Sequence, residues 1–293
     1  MKKSILIIAF AAVAVSFVFG KATRRQLSVF QSSVPESETI VKEDMEFVYE
    51  YCCCVDTTGL PQDNKLCDNM LLQIGPNGLS KFSSYKNLTV DSIIMRSSQE
   101  QIIEAAADGK LSNGEFMTIY KNYPAGRLTH TEKICMDWFR YDEEMPSIDW
   151  ELTDSVATVL GYECRSARCK FRGREWTVLY SEYIPLMEGP WKLHGLPGLI
   201  MKVTDEKSHY SFECIGIRSK ADRPITIYKV PFNKTDRKRY YETKHSYEVN
   251  PYAYFETTTG GRISVTDDAG NPMLDAYDPI DLPYDYLETD WRK

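Results

Sequence analysis

The sequence predicts a mainly β protein: a curved antiparallel sheet, half-barrel or sandwich-like, with one or two covering helices. Three observations carry that expectation. Apolar and polar residues alternate with period two in many short segments. Those segments follow one another through brief Gly-, Pro- and Asn-containing turns, which favours antiparallel neighbours over βαβ units. Aromatic residues make up 12% of the chain and include 19 tyrosines, the kind of side chain that fills the concave side of a curved sheet.

The chain opens with MKKSILIIAFAAVAVSFVFGKA. Lys2 and Lys3 precede an uncharged apolar run that ends in small residues, the pattern of a secretory signal peptide over residues 1–22. Residues 23–39 are rich in Ser and Glu and are expected to form a flexible leader. A single domain is expected over residues 40–293, with 219–293 as a candidate C-terminal extension. No segment after the signal is apolar enough to span a membrane. The expected location is therefore outside the cytoplasm: periplasmic, outer-membrane-associated or secreted. The formal charge of −7 disfavours general nucleic-acid binding, which relies on neutralising phosphates.

The elements follow in order. Met45, Phe47, Tyr49, Tyr51 and Cys53 share one strand face; Glu46, Glu50, Cys52 and Cys54 share the other. Met70, Leu72 and Ile74 alternate before a Gly75-Pro76-Asn77-Gly78 turn, and residues 79–85 return as a strand. Ser98 and Gln101 form a capping-box pattern that predicts a helix over 99–107. Strands are expected over 117–123, 129–140 and 150–159, then 162–171 and 176–182 around an Arg172-Gly173-Arg174 turn. Further strands are expected over 199–204 and 209–217. Residues 231–247 read as a helix capped by Asn233 or Thr235. Residues 257–262 read as a Gly-rich loop, and 267–271 as a turn between short strands.

Eight cysteines in an exported chain suggest disulfides. Strand parity narrows the pairs. Cys67 faces outward with Cys52 and Cys54, so it is expected to bridge one of those two. Cys169 and Cys214 both face inward and are expected to pair, which leaves Cys164 outward. Three adjacent cysteines lack the C-x2-C spacing of a zinc site.

The densest run of glycine and proline is GPWKLHGLPGLIMKV, residues 189–203. Gly189-Pro190 and Gly195 turn the backbone. Pro197 fixes its own φ and biases Leu196 to extended geometry. Gly198 permits close backbone approach. Leu199 onward is an apolar, β-prone run. The segment is thus expected to launch a buried strand.

Gly195-Leu196-Pro197-Gly198-Leu199-Ile200 resembles the naming motif of the GLPGLI family of exported Bacteroidetes proteins, also called Porph_ging. Gly161-Tyr162-Glu163-Cys164, Gly173-Arg174, Ile184-Pro185 and Gly189-Pro190 fit that resemblance, as does Asp278-Pro279-Ile280-Asp281 in place of the family's Asn-Pro-Ile-Glu. The cluster Cys52–Cys54 departs from the pattern. The resemblance implies an exported protein of a Gram-negative host. It implies no activity, cofactor or catalytic residue.

Of the four histidines, His194 adjoins the motif and is expected to bond nearby backbone. Asp142, Glu143, Glu144, Asp149 and Glu151 form an acidic cluster around Met145-Pro146, expected to be a solvated turn. Lys234, Arg237, Lys238 and Arg239 form a basic patch, expected to be a solvated helix face. Neither a nucleophile elbow nor a phosphate loop occurs. The favoured expectation is a non-enzymatic envelope protein that binds a protein partner or an apolar ligand. The alternatives are a hydrolase using two acids of the 142–151 cluster, and a metal-binding protein using His194 and cysteines.

Overall fold

Alternation builds most of the molecule. The computed structural model describes residues 34–292 apart from 43, 61–62, 99–100, 103–104, 106–107, 109, 112, 220–222 and 262–277, together with the pairs Lys3–Ser4 and Val18–Phe19. The rest of the expected signal peptide, most of the 99–107 helix and the 267–271 turn lie outside the described residues. Ser98 does engage Gln101 reciprocally: its N–H donates to Gln101 Oε1 at 2.9 Å, and Gln101 N–H donates to its hydroxyl at 3.4 Å.

The strands are β1 Ser37–Lys42, β2 Met45–Cys54, β3 Lys65–Ile74, β4 Ser80–Ser84, β5 Thr118–Lys121, β6 Arg127–Ile134, β7 Asp137–Glu144, β8 Glu151–Val159, β9 Tyr162–Phe171, β10 Arg174–Ser181, β11 Leu199–Asp205, β12 Tyr210–Ser219, β13 Pro224–Tyr228 and β14 Phe232–Lys234. The helices are α1 Tyr85–Arg96, α2 Arg237–Val249 and α3 Pro251–Thr259. Twelve strands form one curved, unclosed sheet in the order β8-β9-β10-β11-β12-β2-β3-β4-β5-β6-β7-β14. The mainly β class with few helices is therefore as expected. The β7–β14 pair is parallel, so the large sheet is mixed and not wholly antiparallel. β1 and β13 form a separate antiparallel pair.

Several local expectations change. Ser37–Lys42 is a strand, so the expected leader does not run to residue 39. The expected 129–140 strand is two strands joined at Cys135, which takes φ +55°. Helix α1 stands where no helix was expected, capped by the Ser84 hydroxyl, which accepts from Asn87 N–H at 3.2 Å. Helix α2 starts later, at Arg237, with Asp236 as its cap. Thr257, Thr258 and Thr259 belong to α3, and Gly260 ends it at φ +70°.

Cys52 and Cys67 stand directly opposite on β2 and β3 and are disulfide-bonded. The closed loop spans a sequence separation of 15, which stabilises the fold by about 3 kcal/mol on the loop-entropy account. Cys54 is free and buried. The expected Cys169–Cys214 bond is not formed; both thiols are free. β10 and β11 lie between their strands, which puts them roughly 14 Å apart across the sheet. Register also displaces them along it, because Cys169 stands opposite Trp176 and hence Asp205, whereas Cys214 lies beyond the Lys202–Glu213 pair. A disulfide tolerates Cα separations only to about 7 Å. Cys164 is fully buried, not outward-facing. Consecutive buried residues, Ser166 and Ala167, interrupt the alternation of β9.

The core is aromatic. Phe47, Tyr49, Tyr51, Phe82, Trp176, Trp191, Tyr210 and Phe212 are each at most 2% exposed. Tyr51 stacks on Phe212 at 4.9 Å, and Trp191 meets Phe171 and Trp176 at 5.6 Å each.

Candidate functional site

The Gly/Pro-rich segment lies inside the molecule. Trp191, Lys192, Leu193, Leu199, Ile200 and Met201 have no exposed surface, and Leu196 has 1%. Only Gly195 and Pro197 of the hexapeptide are exposed. Gly195 takes φ +95°, a region open to glycine. At Gly198 a Cβ would stand 2.2 Å from the Ser181 carbonyl oxygen, so β10 and the start of β11 approach as only glycine allows. Leu199 and Met201 lie in strand β11. The Tyr49 hydroxyl donates to Ile200 O at 2.7 Å, and Lys121 reaches in from β5 to donate to Gly189 O at 2.7 Å and Leu193 O at 3.1 Å. Lys121 also pairs with Glu188 at 2.5 Å. The loop is wrapped around that ammonium.

Lys192 points the other way, into a buried seam of charge. Its Nζ lies 2.8 Å from Glu143 Oε1, 2.7 Å from Glu288 Oε1 and 3.0 Å from the Tyr141 hydroxyl. Arg237 meets Glu288 at 2.6 Å and Asp290 at 2.7 Å; Arg172 meets Glu143 at 2.6 Å. The chain continues through His130, whose Nδ1 is 3.1 Å from the Tyr141 hydroxyl and whose Nε2 is 3.2 Å from Glu132 Oε2. Glu132 accepts from Lys244 at 2.6 Å and from the Tyr240 hydroxyl. One tautomer satisfies the whole series. Lys192 donates to Tyr141, Tyr141 donates to His130 Nδ1, and His130 Nε2–H donates to Glu132.

Electrostatics agree with that assignment. Burial drives the His130 pKa down, against the pull of Glu132, so the ring is neutral. Burial alone would raise the Glu288 carboxyl; Lys192, Arg172 and Arg237 outweigh it and hold the group at about 2. Glu132 is likewise held below the usual carboxylate range, with Lys244 and His130 overcoming burial. A cavity of about 20 Å³, room for one water, touches His130, Glu132 and Lys244.

This seam joins β6, β7, the loop before β11, α2 and the C-terminal segment. That segment is tied to the sheet: Arg174 donates to Leu287 O at 3.1 Å and Tyr286 O at 2.5 Å, and the Tyr210 hydroxyl donates to Asp285 O at 2.5 Å. The expected solvated turns are thus partly structural. Glu143 and Arg237 belong to the seam. Asp142 is held by Arg140 at 2.9 Å and the Thr129 hydroxyl. Glu144, Asp149 and Glu151 are exposed, as are Lys234, Lys238 and Arg239. His194 is half-buried; burial, with Lys121 nearby, lowers its pKa to about 4. Its carbonyl accepts from the Trp150 indole at 3.0 Å. Among the described residues, no group of three or more His, Cys, Asp and Glu is arranged to hold a metal. Sequence reasoning missed the seam. Lys192, a charge flanked by Trp191 and Leu193 in an apolar run, was the signal available.

At the far end of the sheet the opposite condition holds. β8 pairs with β9 on one side and, among the described residues, with no strand on the other. Seven of its nine residues are exposed, including Leu152 and Val156 at 61% each. Its register shifts between Thr153 and Val156, leaving Asp154 and Ser155 as a bulge.

No protein-family profile matches this chain, and no curated protein sequence matches it. Solved structures that resemble it include PNGF-II in two crystal forms. One is 11% identical with a TM-score of 0.45, the other 12% identical with a TM-score of 0.44. Each likeness covers 68% of this chain and 32% of that one, so this chain spans about a third of PNGF-II. Similarity of this depth carries no argument about activity.

Proposed function

We propose that this chain is an exported envelope protein of the GLPGLI type whose work is to bind another protein. The observation that carries the reading is β8, a nine-residue strand at the edge of a large sheet that, among the described residues, pairs on one side only and exposes apolar side chains. The Cys52–Cys67 disulfide favours an oxidising compartment. The GLPGLI hexapeptide and the Gly-Pro pair before it supply the family resemblance.

Two rival readings lose support from the geometry. An apolar carrier needs a hollow core face, and here aromatic side chains with almost no exposure occupy it. A carboxylate hydrolase needs two acids of the 142–151 cluster facing one another in a cleft. Here Asp142 is held by Arg140, Glu143 by Arg172 and Lys192, and the remaining three face solvent.

Site-specific photo-cross-linking tests the reading. A photoreactive residue is placed in turn at exposed positions around the full chain in its native envelope. A discrete higher-mass adduct with another protein is expected from one contiguous surface. Absence of an adduct at every position would contradict a protein-binding role.

A further inference from the structure

The exposed edge of β8 is neither neutral nor generic. Its two faces differ. Register places Glu151 beside Arg168 on one face of β9, and Val156 beside Arg165 and Thr158 beside Glu163 on the other, the face of Ala167. Leu152 stands beside Ala167, which is fully buried and shares the face of Val178 and Trp176. The core face of the sheet therefore runs off its edge at Leu152, which is 61% exposed. Asp149, Glu151 and Asp154 are exposed along the same stretch, and among the described residues none of them is held in an ion pair.

These features select an occupant. Open strand edges present outward-facing N–H and C=O groups that an extended chain can complete. A second copy is a poor fit. It would bring bulge against bulge and three more carboxylates onto an edge that already carries three, in a chain of charge −7. A segment of another protein that alternates apolar and basic side chains fits both faces. Its apolar side chains would extend the Ala167–Leu152 row. Its cations would stand beside Glu151, near Asp154 on the adjoining bulge, and continue the alternation of sign begun by Arg168 and Glu151.

Resting on the protein-binding reading above, we infer that β8 is the docking edge, and that its partner contributes an extended segment of alternating apolar and basic residues added as a further strand. The probe is a fluorescein-labelled ten-residue peptide alternating lysine and valine, titrated with the folded protein and followed by anisotropy. Saturable binding is expected, weakened about tenfold by Glu151→Lys with Asp154→Lys, and by Leu152→Asp alone. These positions are exposed, so thermal unfolding should be unchanged. No saturable binding, equal binding to the variants, or equal binding of an all-lysine peptide would overturn the inference. So would self-association that the double substitution increases, since it would mean that the edge serves a second copy. Cross-linking separates this inference from its parent. Adducts from a photoreactive residue at Thr158 support both; adducts from other surfaces but none from Thr158 retain the protein-binding role and reject the β8 edge.

Discussion

Gly198→Ala is expected to destabilise the protein by about 3 kcal/mol, at the upper end of what overpacking costs. The added Cβ would meet the Ser181 carbonyl oxygen at 2.2 Å, the Ser181 carbonyl carbon at 2.6 Å and the Glu182 nitrogen at 2.9 Å. All three are backbone atoms, so no side chain can turn aside. Relief requires β10 and β11 to separate where Tyr180 and Ser181 pair with Ile200 and Leu199. Gly195→Ala makes an informative contrast. Its φ is +95°, but the nearest atom, Trp150 Nε1, is an ordinary 3.7 Å away. Only backbone strain is added there, about 1 kcal/mol. Urea unfolding of the two variants measures the difference. Equal and negligible effects would mean that the hexapeptide does not set the path of the chain.

Lys192→Met is expected to cost about 3 kcal/mol or more, because truncating one member of a buried ionic group strands the others. Glu288 and Lys192 have no exposed surface, so the carboxylate left behind could not turn to water. Arg172 and Arg237 remain beside it and keep the loss toward the lower end of that range. Adding Glu288→Gln to Lys192→Met should recover part of the loss, a coupling readable in a double-mutant cycle. The pH dependence follows from the same geometry. Glu288 ionises at about 2 in the folded protein against an ordinary 4.5. A depressed carboxyl contributes stability that is fully present above the unfolded value and is lost as pH falls through the folded one. The acid limb contributed by Glu288 should therefore lie between about pH 4.5 and 2, with Glu132 adding in the same direction. In Lys192→Met the depression is smaller, so that contribution should vanish at higher pH. Acid unfolding monitored by fluorescence, with an unshifted limb in the variant, would show that Lys192 does not hold the seam.

Strand faces were readable in most of the chain, though not at Cys164, and strand neighbours only where the strands adjoin in sequence. Met45 to Cys54 alternates cleanly, and parity correctly restricted Cys67 to Cys52 or Cys54, because β2 and β3 adjoin in sequence and in space. The same parity argument misled at Cys169 and Cys214. It assigns a side of the sheet, but says nothing of the two strands that intervene. The Cys135 hairpin was hidden because its positive-φ residue is not Gly, Asn or Asp, the usual turn formers. Helix α1 was hidden by composition: in YKNLTVDSIIMR, polar and β-branched residues interrupt the apolar stripe, and tertiary contacts must supply what propensity lacks. Lys192 was visible as a charge among apolar residues. Its partners, Glu143 and Glu288, lie 49 and 96 residues away. No local pattern links them.

The segment from Gly189 to Ile200 is a fixed interior ribbon, and native-state hydrogen exchange reads that directly. The amides of Leu193, Leu199 and Ile200 are hydrogen-bonded to Pro190 O, Ile184 O and Glu188 O at 3.1, 3.0 and 2.9 Å. They should exchange only with global unfolding, at the rate of the slowest amides in β2 and β12. Exchange as fast as that of the exposed edge strand β8 would mean a loop free to open around a ligand, and would contradict the account.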